Sequence, residues 1–362
     1  MERFAFITPT PSLAPFWQPV VDELRNLSVT VEVITHARKH LGLPAAGRFY
    51  DRKLESRTYG VPSAKLMRRI NRKVYDYLVV IEYGPQTAFY AMIARFRGVP
   101  LFIFQENASS ALGGLSLSRF LYRRFVLRLA TGVIANTTAA EEELCGRFRL
   151  PPTRVHGATV LVPPLAEHFT ESFRLPSLPR PIVLYVGQLI PLKNVEKLLE
   201  AIIALQPELE FGAVIVGDGP ERETLECMAE RATHPDRLVF VGHLPYQKLG
   251  SIYAQSDVFV MPTRGDYRNV AVLEAMRFGL AVIVSRHDGN VLSTIRKDVN
   301  AVVVEPTANE LRSALSALIK DDQRRRRLGE AAQQTLAAHT PEVAAKALLR
   351  IARGAIGSKR EN

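Results

Sequence analysis

The chain has 362 residues, long enough for two domains of ordinary size, and its 47% apolar and 8% aromatic content fits a globular α/β protein. No run approaches the length of a membrane span, and two distant cysteines, Cys145 and Cys227, offer no disulfide framework. The formal charge of +11 lies mostly in residues 1–175, which carry 23 Lys/Arg against 14 Asp/Glu, whereas residues 176–362 carry 24 against 22.

A basic half of this kind suits an anionic membrane surface, a phosphorylated lipid or nucleic acid. Nucleic acid is disfavoured, because no helix-turn-helix, zinc finger or aromatic-rich RNA signature accompanies the charge. The eight histidines are scattered without HExxH or CxxC, so no metal cage is visible. The cysteine usage fits a cytoplasmic protein, with peripheral contact to the cytoplasmic membrane face open to it.

MERFAFITPTP reads as a first strand rather than a signal peptide. Strands are predicted at Phe4–Thr8, Val29–Ile34, Leu78–Tyr83, Leu101–Gln105, Val133–Asn136 and Val155–Val162. Helices fit between them, including Gln86–Phe96, Leu117–Leu129 and Ala139–Phe148. Lys65, Arg68, Arg69, Arg72 and Lys73 recur at helical spacing and would form one charged stripe. SRFLYRRFVLRL, residues 118–129, reads either as a basic amphipathic helix for an anionic membrane or as a core helix with snorkelling arginines.

Five prolines between residues 163 and 181 mark a linker. Beyond it strands resume at Ile182–Val186, Ala213–Val216, Val239–Val241, Val258–Met261, Ala281–Val284 and Ala301–Val304. Alternating short strands and helices imply parallel sheets. The expected division is 1–165, a linker over 166–181, a second domain over 182–340, and a helix and tail over 341–362.

Two segments of the second half carry chemistry. In YVGQLIPLKNVEKLLEAIIAL a strand ends at Gly187, and Asn194 is expected to cap a helix buried through Val195, Leu198, Leu199 and Ile202. Lys193 stands beside the positive end of that helix, which suits a shared anion; a solvated loop lysine is the alternative. In VFVMPTRGDYRNVAVLEAMRFGLAVIVS, Asn269 is a favoured cap, and the N–H groups at Val270, Ala271 and Val272 form an anion site. Glu274 lies in a mostly apolar helix and needs hydrogen-bond partners, either ligand hydroxyls or Arg277 one turn on.

Asp266 and Glu274, separated by seven intervening residues and followed by Ala-Met, a glycine and an apolar strand, resemble the Glu-x7-Glu segment of retaining glycosyltransferases of family 4. Gly187, Leu189 and Lys193 resemble that family's diphosphate-binding segment. Gly217-Asp218-Gly219-Pro220 resembles its Gly-x-Gly-Pro turn, and Val241-Gly242-His243-Leu244 the segment that reads the nucleobase. The His243 side chain alone reads as a surface or packing residue as readily as a ligand.

The resemblance implies a GT-B fold: two Rossmann-like doubly wound domains facing across a cleft, with the last helix crossing back to the first. It also implies a nucleoside-diphosphate sugar as co-substrate, no metal, and a saccharide or lipid-linked hydroxyl acceptor. Lys193 would offset the leaving diphosphate, and Glu274 would accept ribose hydroxyls. Asp266 would hold the donor sugar or the acceptor.

Departures from the family pattern are Asp266 for Glu, Gln188 for the usual Arg, and Gln105-Glu106-Asn107 where relatives carry a His. Arg264 or Arg268 is a candidate for the missing phosphate charge. Glu106 reads as a site carboxylate or as a counter-charge to the basic half. The first loop, Thr8 to Ser12, lacks the Gly-Gly pair of many relatives. A sugar phosphorylase, a nucleotide-sugar hydrolase and a non-catalytic nucleotide-binding subunit are the alternatives.

Overall fold

A computed structural model describes residues 2–8, 14–35, 48–50, 64–81, 83–105, 115–157, 171–266, 269–337 and 339–360. Glu106, Asn107, Arg268, the first loop beyond Thr8 and the Pro-rich segment before residue 171 lie outside them. The chain divides into two compact units, Met1–Pro163 with His339–Asn362, and Pro164–Ala338.

The first unit runs β1 (Arg3–Thr8), α1 (Ala14–Asn26), β2 (Thr30–Thr35), β3 (Arg48–Tyr50), α2 (Ala64–Arg69), β4 (Tyr77–Ile81), α3 (Thr87–Phe96), β5 (Leu101–Gln105), α4 (Leu117–Leu129), β6 (Gly132–Ala135), α5 (Thr138–Gly146) and β7 (Val155–Gly157). Its strands form one parallel sheet in the order β3-β2-β1-β4-β5-β6-β7. Every residue of β4 and β5 is buried, the pattern of parallel strands covered on both faces. One face packs on Leu66, Tyr90, Ala94, Val126, Leu127 and Leu144 of α2 to α5. The other packs on Trp17, Val20, Val21 and Leu24 of α1, together with Ala345, Leu348 and Leu349 of the last helix.

The expected basic stripe from Lys65 to Lys73 is corrected: α2 ends at Arg69. Asn71 explains the stop, since its side chain accepts from the Lys73 N–H at 2.9 Å and donates to the Arg68 carbonyl at 3.0 Å. Arg69 then pairs with Glu32, and Arg72 donates to the Gly98 carbonyl at 2.7 Å.

The second unit runs β8 (Ile182–Val186), α6 (Val195–Leu205), β9 (Gly212–Val216), α7 (Arg222–Ala229), β10 (Leu238–Gly242), α8 (Tyr246–Gln255), β11 (Val258–Met261), α9 (Val270–Arg277), β12 (Ala281–Ser285), β13 (Val302–Val304), α10 (Ala308–Lys320) and α11 (Asp322–Ala337). The final helix, α12 (Pro341–Arg360), packs on α1 in the first unit. The six parallel strands take the order β10-β9-β8-β11-β12-β13. The order reverses between β8 and β11, and open α/β sheets bind ligands in the crevice beyond the carboxyl ends at such a point.

Candidate active site

The loop that leaves β8 at the switch point contains a 3-10 turn, Pro191–Lys193, and then Asn194 in the left-handed region at φ 58°. Asn194 does not cap α6 with its side chain, contrary to the sequence expectation. Its amide instead donates to the Pro262 and Pro306 carbonyls at 3.1 and 2.9 Å and accepts from Arg264 Nε at 3.0 Å. The loop after β11 is bound to the same turn. The Leu192 carbonyl accepts from the Arg264 N–H at 2.9 Å and from Thr263 Oγ1 at 3.0 Å.

These bonds bring Lys193 and Asp266, 73 residues apart, into direct contact. The Lys193 ammonium donates to the Asp266 carboxylate and, at 2.5 Å, to Asn269 Oδ1. Both charged side chains are largely buried, at 13% and 18% exposure. Asp266 is also pinned through its backbone, donating to the His287 carbonyl at 3.2 Å and accepting from the Gly289 N–H at 2.9 Å. An ammonium has three N–H groups, and two are engaged here.

Asn269 occupies the cap position of α9, but its side chain does not cap the helix. With its oxygen on the lysine, its amide nitrogen donates to Asp288 Oδ2. Asp288 Oδ1 accepts from the backbone and side-chain N–H groups of Asn290 at 2.9 and 2.8 Å. Asn290 in turn donates to the Asn269 carbonyl at 2.9 Å. The first N–H groups of α9, from Val270 and Ala271 onward, are thus left uncapped by Asn269, which is the arrangement that receives an anion.

Asp288 is 1% exposed, and burial pushes its carboxyl up to about 6 despite the bonds from Asn269 and Asn290; the Asp266 charge adds to the rise. The folded carboxyl therefore holds its proton more tightly than the unfolded one at 3.8. That contribution to stability is fully present below about pH 3.8 and is lost as pH rises through about 6. The margin of wild type over Asp288→Asn should accordingly shrink by on the order of 1–3 kcal/mol between pH 4 and 7. Urea midpoints of the two proteins across that range check this; a margin that stays constant contradicts it.

Glu274 sits one turn into α9 at 3% exposure. Its partners are the hydroxyls of Tyr246 on Oε1 at 2.7 Å and Tyr253 on Oε2 at 2.8 Å, both from α8. Burial raises the carboxyl, and the two hydroxyls draw it back. Burial and the nearby Glu274 charge hold both phenols well above their ordinary range, so they remain donors at neutral pH. Neither tyrosine was singled out in the sequence, although Tyr246 and Tyr253 are seven residues apart and so share one helix face.

The glycines close the other side of the crevice. A Cβ on Gly187 would lie 2.7 Å from the Tyr185 hydroxyl, which donates to the Gln188 carbonyl at 2.9 Å. Gly217, at φ +135°, brings its Cα so close to the Gly187 carbonyl that a Cβ would stand 1.8 Å from that oxygen. Gly187 N–H donates to the Val216 carbonyl, Leu189 N–H to Asp218, and Gly217 N–H to Gly242. The turns after β8, β9 and β10 are therefore sewn together backbone to backbone. Gln188 and His243 are exposed and Leu244 is half-buried on these turns. Arg264, exposed on the β11 loop, is the described candidate for the missing phosphate charge.

Two doubly wound parallel units, one with a lysine, a carboxylate and a helix N-terminus at its switch point, define the GT-B class of glycosyltransferase. Family models agree: "Glycosyl transferases group 1" matches residues 169–335, and "Glycosyl transferase 4-like domain" matches residues 13–157. The GDP-mannose-dependent alpha-mannosyltransferase of Mycolicibacterium smegmatis is 31% identical over 350 residues, covering 89% of this chain and 88% of that protein. The alpha-D-kanosaminyltransferase of Streptomyces kanamyceticus is 28% identical over 288 residues, covering 74% and 72%. The structure of Anabaena Alr3699/HepE in complex with UDP superposes with a TM-score of 0.69 at 16% identity, covering the whole of both chains. The chain belongs to the group 1 glycosyltransferase family.

Proposed function

We propose that this glycosyltransferase is a retaining enzyme that moves a hexose from a nucleoside-diphosphate sugar to a hydroxyl of a saccharide or lipid-linked acceptor in polysaccharide or glycoconjugate synthesis. The observation that carries the proposal is the Lys193–Asp266–Asn269 cluster at the switch point of the second unit. The diphosphate lies between the Lys193 ammonium and the first N–H groups of α9, with the Gly187–Gly217 turns admitting its backbone-close approach. The Glu274 carboxylate takes the ribose hydroxyls, and Leu244 and His243 border the base.

In the transfer step the bond between the anomeric carbon and the β-phosphate oxygen breaks, and its electron pair leaves with the diphosphate. The acceptor oxygen bonds to the same face of the anomeric carbon, and its proton passes to the departing phosphate oxygen. Lys193 and the helix N–H groups meet the charge as it develops, which is the electrostatic contribution to the rate. Asp266, released from Lys193 by the competing diphosphate, orients a sugar hydroxyl. Glu106 is proposed, from its place in the sequence after β5, as a site carboxylate on the acceptor side.

The relatives' names point to different bases, GDP for the mannosyltransferase and UDP for the Anabaena complex. A thermal-shift panel of UDP, GDP, ADP, CDP and dTDP separates them. One base at about 100 times its dissociation constant should stabilise the fold by about 2.7 kcal/mol. No shift with any diphosphate, in a folded protein, would overturn the proposal.

A further inference from the structure

The first unit carries an exposed apolar patch that its own core does not use. Among the described residues nine large hydrophobic side chains are exposed, and five of them lie on α3 and α4. Leu117, Leu121 and Phe125 recur every four residues along α4 at 74%, 55% and 47% exposure. Phe96 and Met92, one turn apart on the adjoining α3, are 90% and 40% exposed. Such concentration marks an interaction surface rather than scattered surface residues.

The inward side of α4 is separately satisfied. Val126 and Leu127 are buried, and Phe120 stacks on Phe148 with ring centroids 5.1 Å apart. Arg123 lies over the Tyr83 ring at 4.6 Å, and the Tyr122 hydroxyl donates to the Gly84 carbonyl at 2.7 Å. Arg123 is therefore a packing residue, whereas Arg124 and Arg128 fall on the same arc as the exposed apolar residues by their three- and four-residue spacing.

At the carboxyl end of that arc a cavity of about 160 Å³ is lined by four arginines, Arg124, Arg128, Arg149 and Arg154, with Phe148 and Leu150. Arg154 is committed to the last turn of α4, donating to the Leu127, Ala130 and Thr131 carbonyls. Burial, with Arg95 nearby, pulls its guanidinium below the usual range. Arg124, Arg128 and Arg149 pair with no carboxylate among the described residues. The carboxylates of Glu2, Asp22, Glu32, Asp76 and Glu143 are engaged with other arginines. Converging guanidinium groups without counter-charge favour a phosphate, and an adjoining apolar stripe favours acyl chains.

We propose that the outward arc of α4, with Met92 and Phe96 of α3, docks on an anionic phospholipid bilayer, the arginine-lined cavity receiving a lipid phosphate. The helix lies along the surface, with Leu117, Leu121 and Phe125 in the acyl boundary and Arg124 and Arg128 at headgroup level. The proposal stands on these residues alone and does not depend on the transferase chemistry. Apolar side chains interleaved with arginine fit a bilayer better than a nucleic acid, which would leave the leucines against water.

Co-sedimentation of the full chain with vesicles of phosphatidylcholine containing phosphatidylglycerol, against phosphatidylcholine alone, tests it. Wild type should pellet with the anionic vesicles and remain largely in solution with the neutral ones. Arg124→Gln with Arg128→Gln, and separately Leu121→Ser with Phe125→Ser, should each weaken partitioning by roughly tenfold or more. All four side chains are partly or fully exposed, so the melting temperature should hold. Arg326→Gln on α11, whose side chain is 76% exposed in the second unit, should bind like wild type. Equal binding to both vesicles, wild-type binding by either double variant, or displacement by millimolar inorganic phosphate at constant ionic strength would overturn the proposal. The last outcome would indicate a free-anion site.

Discussion

Lys193→Ala should lower kcat/KM for glycosyl transfer by about 10²–10³-fold, the cost of removing one pre-placed group that meets developing charge. Two effects combine in this variant. The leaving diphosphate loses its ammonium, and the Asp266 carboxylate, 18% exposed, loses its counter-ion. The second effect destabilises the β11 loop by on the order of 1–3 kcal/mol, less than for a fully buried pair because solvent still reaches both groups. A thermal melt separates it from the first. Release of nucleoside diphosphate in the presence of acceptor, compared under conditions where both proteins are folded, checks the rate. A loss below about fivefold would remove Lys193 from the transition state.

Glu274→Leu is expected to fail in a different way. Tyr253 is 0% exposed and donates to Glu274 Oε2, so the substitution strands a buried hydroxyl. Stability should fall by about 1–3 kcal/mol. Tyr246 is 36% exposed and turns to water at little cost. Adding Tyr253→Phe should recover part of the loss, a non-additivity that a double-mutant cycle in urea reads directly. Glu274→Gln keeps the volume and one acceptor, so it should fold nearly as well as wild type while binding the nucleoside about tenfold or more weakly, since it loses a charge-assisted bond. Additive energies for Glu274→Leu and Tyr253→Phe, or unchanged nucleoside affinity in Glu274→Gln, would contradict the paired role.

What the sequence disclosed follows from the range of the signals. Strands such as Ile182–Val186 and Val258–Met261 are continuous apolar runs between loops, and local hydrophobicity suffices to find them. The glycines at 187 and 217 were visible as turn residues. That one exists to let the other approach depends on the pairing of β8 with β9, which no local pattern contains.

The asparagines show the limit most clearly. Asn194 and Asn269 both precede helices, where capping is the local expectation. In each the side-chain oxygen that would cap is taken by a cation from distant sequence: the Arg264 guanidinium for Asn194 and the Lys193 ammonium for Asn269. A bond to an ion outweighs a neutral cap bond. Asp288 was silent in the sequence for the same reason, since its burial and partners arise only when the β11 and β12 loops meet. The α4 segment left two readings open, and the structure contains parts of both: Arg123 packs inward over Tyr83, while Leu117, Leu121 and Phe125 face out.

The central claim is that Lys193 meets the second phosphate of a nucleoside diphosphate. Isothermal titration of the nucleoside diphosphate and of its monophosphate, on wild type and Lys193→Ala, addresses it most directly. The account predicts that wild type prefers the diphosphate and that Lys193→Ala abolishes the preference while leaving the monophosphate affinity nearly unchanged. Equal weakening of both nucleotides, or a preference that survives the substitution, would contradict it.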